Sequence, residues 1–185
     1  MSLSISPAKM TDKIELFHNA HSGLAWGFQV NPSSCGNHKH YEQYIRLSAA
    51  DDKRCGRGTT HVFVREENGQ RQILGFITLR ASSYVKIYGD KFEGNPALEI
   101  LELAVDGKHE GQGIGAALIK FAFATAVDLN AQAIGIQYIV LCADYQAVSY
   151  YEKFGFECIE DQGKVPRDGW NSACIPMFIK LPEIT

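Results

Sequence analysis

The sequence predicts an α+β fold of α/β/α layering: a mixed, mostly antiparallel sheet with one parallel central strand pair. Three stretches carry that prediction. First, an apolar strand (Leu98, Ile100, Leu101, Leu103, Ala104, Val105) passes through a short polar link and Gly111-Gln112-Gly113-Ile114-Gly115 into a helical pattern, and a second apolar strand follows at 136–142. A strand, a helix and a strand this near in sequence make a right-handed parallel crossover. Second, alternating residues at 61–65 and an apolar run at 73–79 flank Asn68-Gly69, a hairpin signal that predicts an antiparallel pair. Third, a short helix at 144–153 and strands at 156–159 and 175–181 supply the remaining edge.

The other elements are justified in chain order. Residues 1–35 offer short strands at 14–17 and 26–30, closed off by the turn Asn31-Pro32-Ser33-Ser34. From Asn37, a plausible N-cap, Tyr41, Tyr44, Ile45 and Ser48 recur at helical spacing to about residue 50, and Cys55-Gly56-Arg57-Gly58 ends the segment. Residues 84–96 mix aromatic residues, Lys and Gly and read as a loop able to cover a site. The helix after the glycine turn places Ile114, Leu118, Phe121, Ala122 and Thr125 on one face and ends near Asn130. Residues 160–172 read as a polar loop.

The 185 residues suffice for one well-packed domain spanning 1–185, with no linker composition to divide them. Hydrophobic residues at 45% and charged residues at 21% argue against disorder. The net charge of −3 hides an asymmetry that decides where any basic surface lies: residues 36–91 carry ten Lys/Arg against six Asp/Glu, residues 92–185 six against thirteen. Five scattered cysteines, none in a Cys-x-x-Cys pair, predict a reduced, cytoplasmic protein. No signal peptide is legible, and no segment approaches the roughly 20 apolar residues of a membrane span, so no membrane partner is expected.

A strand, a glycine turn and a helix form an anion-binding arrangement. Glycines let the backbone approach a phosphate, and the free N–H groups and positive end of the helix face it. Gly111, Gly113 and Ala116 formally satisfy a dinucleotide fingerprint. That motif needs its glycines immediately after the strand, in the first unit of a long alternating fold, with an acid about 20 residues on. Here five residues intervene, and the nearest strand-end acid is Asp144.

Leu103-Ala104-Val105 with the turn from Glu110 to Gly115, and a second block ending in Tyr150-Tyr151-Glu152-Lys153-Phe154-Gly155-Phe156, resemble two motifs of the GNAT superfamily of N-acetyltransferases, in the right order. The resemblance implies a GNAT fold whose parallel pair splays around an acyl-CoA site, and acetyl-CoA as acyl donor. It implies that backbone groups of Gln112, Gly113, Ile114, Gly115 and Ala116, after Gly111, hold the diphosphate. Leu103, Ala104 and Val105 would hold the pantetheine arm like an added strand. Two departures stand out: Glu110 sits where Gln or Arg is usual, and Gln112 where Lys or Arg is frequent. Either Glu110 points to solvent or Lys108 and His109 compensate.

Tyr151 matches the family's general acid, which protonates the departing thiolate; a phenol with an unperturbed pKa of about 10 suits that role, and core packing is its competing explanation. Asp144, at a position often Asn that touches the cofactor, contacts acetyl-CoA or caps the helix. For the base, Glu99 lies four residues before Leu103, where some members carry a catalytic Glu, and alternation puts Glu99, Leu101, Leu103 and Val105 on one face with Glu102 on the other. A water held by Glu99 is the alternative. Cys35, His38 and His40 lack a second ligand pair at zinc spacing, so no metal is expected.

The activity so implied is acetyl transfer to a primary amine by direct attack. A non-catalytic acyl-CoA-binding module is a rival. Cys35-Gly36-Asn37, the helix with Tyr41 and Ile45, and Gly135-Ile136 further resemble the toxin-type GNATs of bacterial toxin–antitoxin pairs, which acetylate aminoacyl-tRNA. The acceptor is thus a small amine or, against the acidic second half, an aminoacyl-tRNA. A homodimer and an antitoxin partner stay open. Residues free to line the acceptor side are His38, Lys39, His40, Tyr41, Tyr44, Arg46, Tyr84, Lys86 and Tyr88.

Overall fold

A computed structural model of the chain describes residues 10–88, 91–159 and 174–183. Seven strands form one sheet: β1 (Met10–Leu16), β2 (Thr59–Glu67), β3 (Gln70–Tyr88), β4 (Lys91–Val105), β5 (Tyr138–Asp144), β6 (Glu157–Cys158) and β7 (Cys174–Lys180). Their order is β1-β2-β3-β4-β5-β7-β6. Every neighbouring pair is antiparallel except β4 and β5, the parallel pair expected around the crossover. The polar loop expected at 160–172 lies outside the described residues.

Helices cover both faces. On one lies α4 (Ile114–Gln132), whose Ile114, Leu118, Ile119, Ala122 and Ala126 are buried against Leu74, Ile77, Leu98, Ile100 and Ile139, together with α5 (Val148–Glu152). On the other lie α1 (Ser22–Ala25) and a longer helix made of α2 (His38–Gln43), a π-helical turn (Tyr44–Ser48) and α3 (Ala49–Arg54). Phe28, Tyr44 and Ile45 there pack on Val62, Val64 and Phe76. Strand alternation sends Val62 and Val64 to this second core and Phe63 to the first.

Several expectations need correction. Residues 26–30 are not a strand; Phe28 and Val30 are buried as part of the irregular chain after α1. Residues 84–96 are not a loop, because β3 and β4 continue as a hairpin paired from Gly75↔Val105 to Tyr88↔Lys91. The hairpin's far end runs away from the glycine turn, and Tyr84 is buried against Tyr138 and Phe178, so it does not cover that turn. At 19 residues α4 is, by length and composition, apolar enough to cross a membrane, although no segment of that kind was expected; here its apolar face is spent on the sheet. Finally, the cysteines are not all free: Cys142 of β5 and Cys174 of β7 form a disulfide, with Cα atoms 5.5 Å apart.

One irregularity sets the geometry of the site. Thr78 pairs with Glu102 but Leu79 with Ile100, so Leu101 is a bulge in β4. One extra residue inverts alternation on one side of it. Leu98, Ile100, Leu103 and Val105 therefore share the α4 face. Glu99 falls with Glu102 and Ala104 on the other, which overturns the expectation that Glu99 shares a face with Leu103 and Val105.

Candidate active site

β4 and β5 are paired from Ala97↔Tyr138 to Ile100↔Leu141 and then part. A cavity of about 540 Å³ opens at that point. Leu103, Ala104 and Val105 line it from β4; Gly111, Gly113, Ile114, Gly115 and Ala116 from the turn and α4; Asp144, Tyr150 and Tyr151 from the far side. Every cofactor-side residue singled out from the sequence lies here except Gln112, which is exposed and accepts a hydrogen bond from Arg65 Nη1 at 3.3 Å.

The turn has the backbone that an anion site needs. Gly113 caps α4 at φ +81°, a left-handed conformation that L side chains rarely adopt. The first intrahelical bond runs from Ala117 N to Gly113 O, 3.0 Å, leaving the N–H groups of Ile114, Gly115 and Ala116 without helical partners. Gly115 has a different reason to be glycine: a Cβ there would lie 2.5 Å from the Tyr150 hydroxyl. The charge at the turn is resolved in a way the sequence suggested only in part. Glu110 is exposed, as one of the two alternatives had it, and it does not pair with Lys108 or His109; it accepts hydrogen bonds from Ser34 Oγ (2.5 Å) and Asn31 Nδ2 (3.3 Å). His109 is taken by Asp106, whose buried carboxylate also accepts from the backbone N–H of Gln29 and Lys108 and so pins the turn to the N-terminal segment. Arg65, beside Gln112 and paired with Asp12, brings a cation to the turn from β2.

Tyr151 is both core and site. It is 9% exposed, packs edge-on to Phe156 and Tyr150, and lines the cavity, yet its hydroxyl makes no hydrogen bond among the described residues. Burial pushes its pKa well above the ordinary phenol value, with smaller contributions from Tyr150, Asp144, Cys35 and Glu102. Tyr41, also in the cavity wall, is raised by burial in the same way. Asp144 stands at the N-cap of the 3-10 turn before α5, but its side chain does not cap it; it accepts from Asn37 Nδ2 (3.4 Å) and Cys35 Sγ (3.6 Å). Asn37 correspondingly makes no side-chain cap to α2.

Glu99 is not in the cavity wall. Arg80, its cross-strand partner, grips it through two bonds of 2.8 and 3.0 Å. Glu102 faces the α2 side and meets His40 Nε2 at 2.9 Å, and that hydrogen bond, opposed by partial burial, raises the His40 pKa. Cys35 and His40 thus address different carboxylates, and among the described residues no group of three or more His, Cys, Asp or Glu side chains is arranged to hold a metal ion.

A family model described as an acetyltransferase (GNAT) domain matches residues 58–158, more than half of the chain. Among solved structures, AtaTR bound with acetyl-CoA is similar at a TM-score of 0.72 and 19% identity, covering 91% of this chain and 93% of that one. AtaT complexed with acetyl-methionyl-tRNAfMet is similar at 0.68 and 19%, covering 90% and 94%. A mutant of KacT is similar at 0.70 and 16%, covering 91% and 94%. At these identities the likeness is one of fold, and the fold extends over nearly the whole of each of those chains. By the family match and by this architecture, the chain belongs to the GNAT acetyltransferases.

Proposed function

We propose that the protein moves an acetyl group from acetyl-CoA to a primary amine by direct attack, with Tyr151 as the general acid. The observation that carries this is one shared cavity into which the N–H groups of the α4 N-terminus and the Tyr151 hydroxyl, without a hydrogen-bond partner among the described residues, both open. The N–H groups of Ile114, Gly115 and Ala116 suit a diphosphate. Backbone of Leu103 and Val105, past the last β4–β5 pair, is placed to take the pantetheine arm as a strand. Acetyl-CoA supplies the thioester electrophile. Tyr151, held protonated by burial, donates to the leaving sulfur. Glu99 is engaged by Arg80, so proton removal from the amine falls to water or to the Glu102–His40 pair, whose carboxylate is close enough to act on Tyr151.

A second reading makes the acceptor an aminoacyl-tRNA. It is favoured by the near-complete overlap with AtaT complexed with acetyl-methionyl-tRNAfMet. The α2–α3 segment carries Lys39, Lys53 and Arg54, cations of the kind that meet phosphates. On this reading an antitoxin partner and a homodimer belong to the system. Either acceptor places the protein in the cytoplasm, where acetyl-CoA is made and used. Free-thiol release with a panel of amines and charged tRNA tests the proposal: acetyl-CoA turnover that depends on an amine supports it, and binding without turnover returns the chain to a binding module. Harmless expression and unaffected translation at saturating acetyl-CoA exclude the toxin reading.

A further inference from the structure

A disulfide lines the cavity in which the proposed reaction releases a thiol. Cys142 sits one residue past Leu141, the last β5 residue paired with β4, and is exposed to the same cavity as Leu103, Asp144 and Tyr151; Cys174 does not line it. The two sulfurs bridge β5 and β7 on the face opposite α4, and Cys35 lines the same cavity as Cys142. Cys35 is half-buried with its thiol bonded to Asp144, and burial keeps it protonated, so it does not compete as a nucleophile. Disulfides in reducing compartments are usually transient and redox-active rather than structural. An exposed one beside a thiol-binding site has an obvious exchange partner.

We infer that the Cys142–Cys174 disulfide is a covalent exchange site for coenzyme A, an inference that rests on the acetyl-CoA reading above. The CoA thiolate attacks Cys142 Sγ, the bond between the two protein sulfurs breaks, and a CoA–Cys142 disulfide forms. Cys174 leaves as the thiolate and takes a proton from solvent. One thiol and one disulfide are consumed and one of each is formed, so no outside oxidant is needed. Attack falls on Cys142 because it alone of the pair faces the cavity. Cys174 remains beside it and reverses the step by expelling CoA. While the adduct lasts, the tethered CoA occupies the donor site, and the enzyme is inactive toward acetyl-CoA.

The test begins with protein oxidised by diamide, the disulfide being verified by non-reducing peptide mapping, then incubated with CoA under anaerobic conditions. Intact mass should show one CoA per chain, peptide mapping should place it on Cys142, and Cys174 should become alkylatable. The yield should exceed that with equimolar glutathione by about tenfold or more, because binding raises the local thiol concentration. Excess desulfo-CoA should suppress it and dithiothreitol should reverse it. Cys142→Ser and, separately, Cys174→Ser should form no adduct, since neither retains the pair. Failure to form the disulfide, an adduct on Cys55 or Cys174, or equal reaction with glutathione overturns the inference. So does the absence of adduct in protein that binds acetyl-CoA by calorimetry, which leaves the acetyltransferase reading intact. Absence of both adduct and acetyl-CoA binding overturns the two together.

Discussion

Replacing Tyr151 with Phe separates catalysis from packing more cleanly than most buried substitutions allow. The ring packs against Phe156 and Tyr150, and Phe retains those contacts. The hydroxyl has no partner among the described residues, so its removal forfeits no hydrogen bond; stability should change by less than about 0.5 kcal/mol. Loss of a positioned general acid costs about 10²–10⁴-fold in rate. At 1.36 kcal/mol per decade that is about 2.7–5.4 kcal/mol of barrier, several times the folding effect. The assay pairs initial rates of thiol release, at saturating amine, with thermal melts of parent, Tyr151→Phe and Tyr150→Phe. Turnover should collapse only in Tyr151→Phe, with the Michaelis constant for acetyl-CoA little changed and all three melting temperatures close. Because burial raises the Tyr151 pKa above its ordinary value of about 10, the parent should keep its acid through the alkaline range below that pH. A Tyr151→Phe rate within about twofold of the parent, or one that falls only in step with melting temperature, would refute the assignment.

Glu99→Gln should cost about 1 kcal/mol of stability or less, since Arg80 is partly exposed, and leave turnover within about threefold, whereas Glu102→Gln should lower kcat/KM. The same Glu102 variant tests linkage. The folded His40 pKa is raised by its bond to Glu102, so that stabilisation is full below the unfolded value of about 6.5 and is lost as pH rises through the folded value; melting curves of parent and variant should converge on the alkaline side. For Glu15 burial opposes ionisation but is outweighed by Lys13, His21 and Arg71, which hold the pKa at about 2; Glu15→Gln should therefore be destabilising above the ordinary carboxylate range and lose its effect as pH falls through about 2. Gly115→Ala should raise the Michaelis constant for acetyl-CoA and cost about 1–3 kcal/mol, because the new methyl group meets the Tyr150 hydroxyl and the ring must move.

Local periodicity made much of this molecule legible. The strand, glycine turn and helix around residues 98–132 and the Asn68-Gly69 hairpin need only signals carried within a few residues of themselves, and the structure forms them. The bulge at Leu101 left no such signal, and a single residue moved Glu99 to the other face. The long β3–β4 hairpin was obscured by the Gly, Asn and Pro of residues 94–96, although Gly89-Asp90 is a dipeptide common in two-residue connections. What holds Glu110 lies in Asn31 and Ser34, more than seventy residues away, and what holds Asp106 includes the N–H of Gln29. Cys142 and Cys174 are separated by 32 residues and meet only because β5 and β7 pair. Tertiary partners of this kind leave no mark in spacing, which is why the strand, turn and helix that line the cavity were readable and the groups that restrain them were not.

The central claim, that the glycine turn holds the donor, is tested most directly by calorimetric titration of acetyl-CoA into the parent and Gly113→Val. At φ +81° a β-branched side chain is strained by about 1–2 kcal/mol, and a Cβ there meets no atom of the described residues beyond its chain neighbours within 4 Å, so the fold should survive with a modestly lower melting temperature. The same side chain stands where phosphates approach the backbone. The account predicts one site per chain in the parent and affinity weakened by about tenfold or more in the folded variant. No binding by the parent, or equal affinity in the variant, would contradict it.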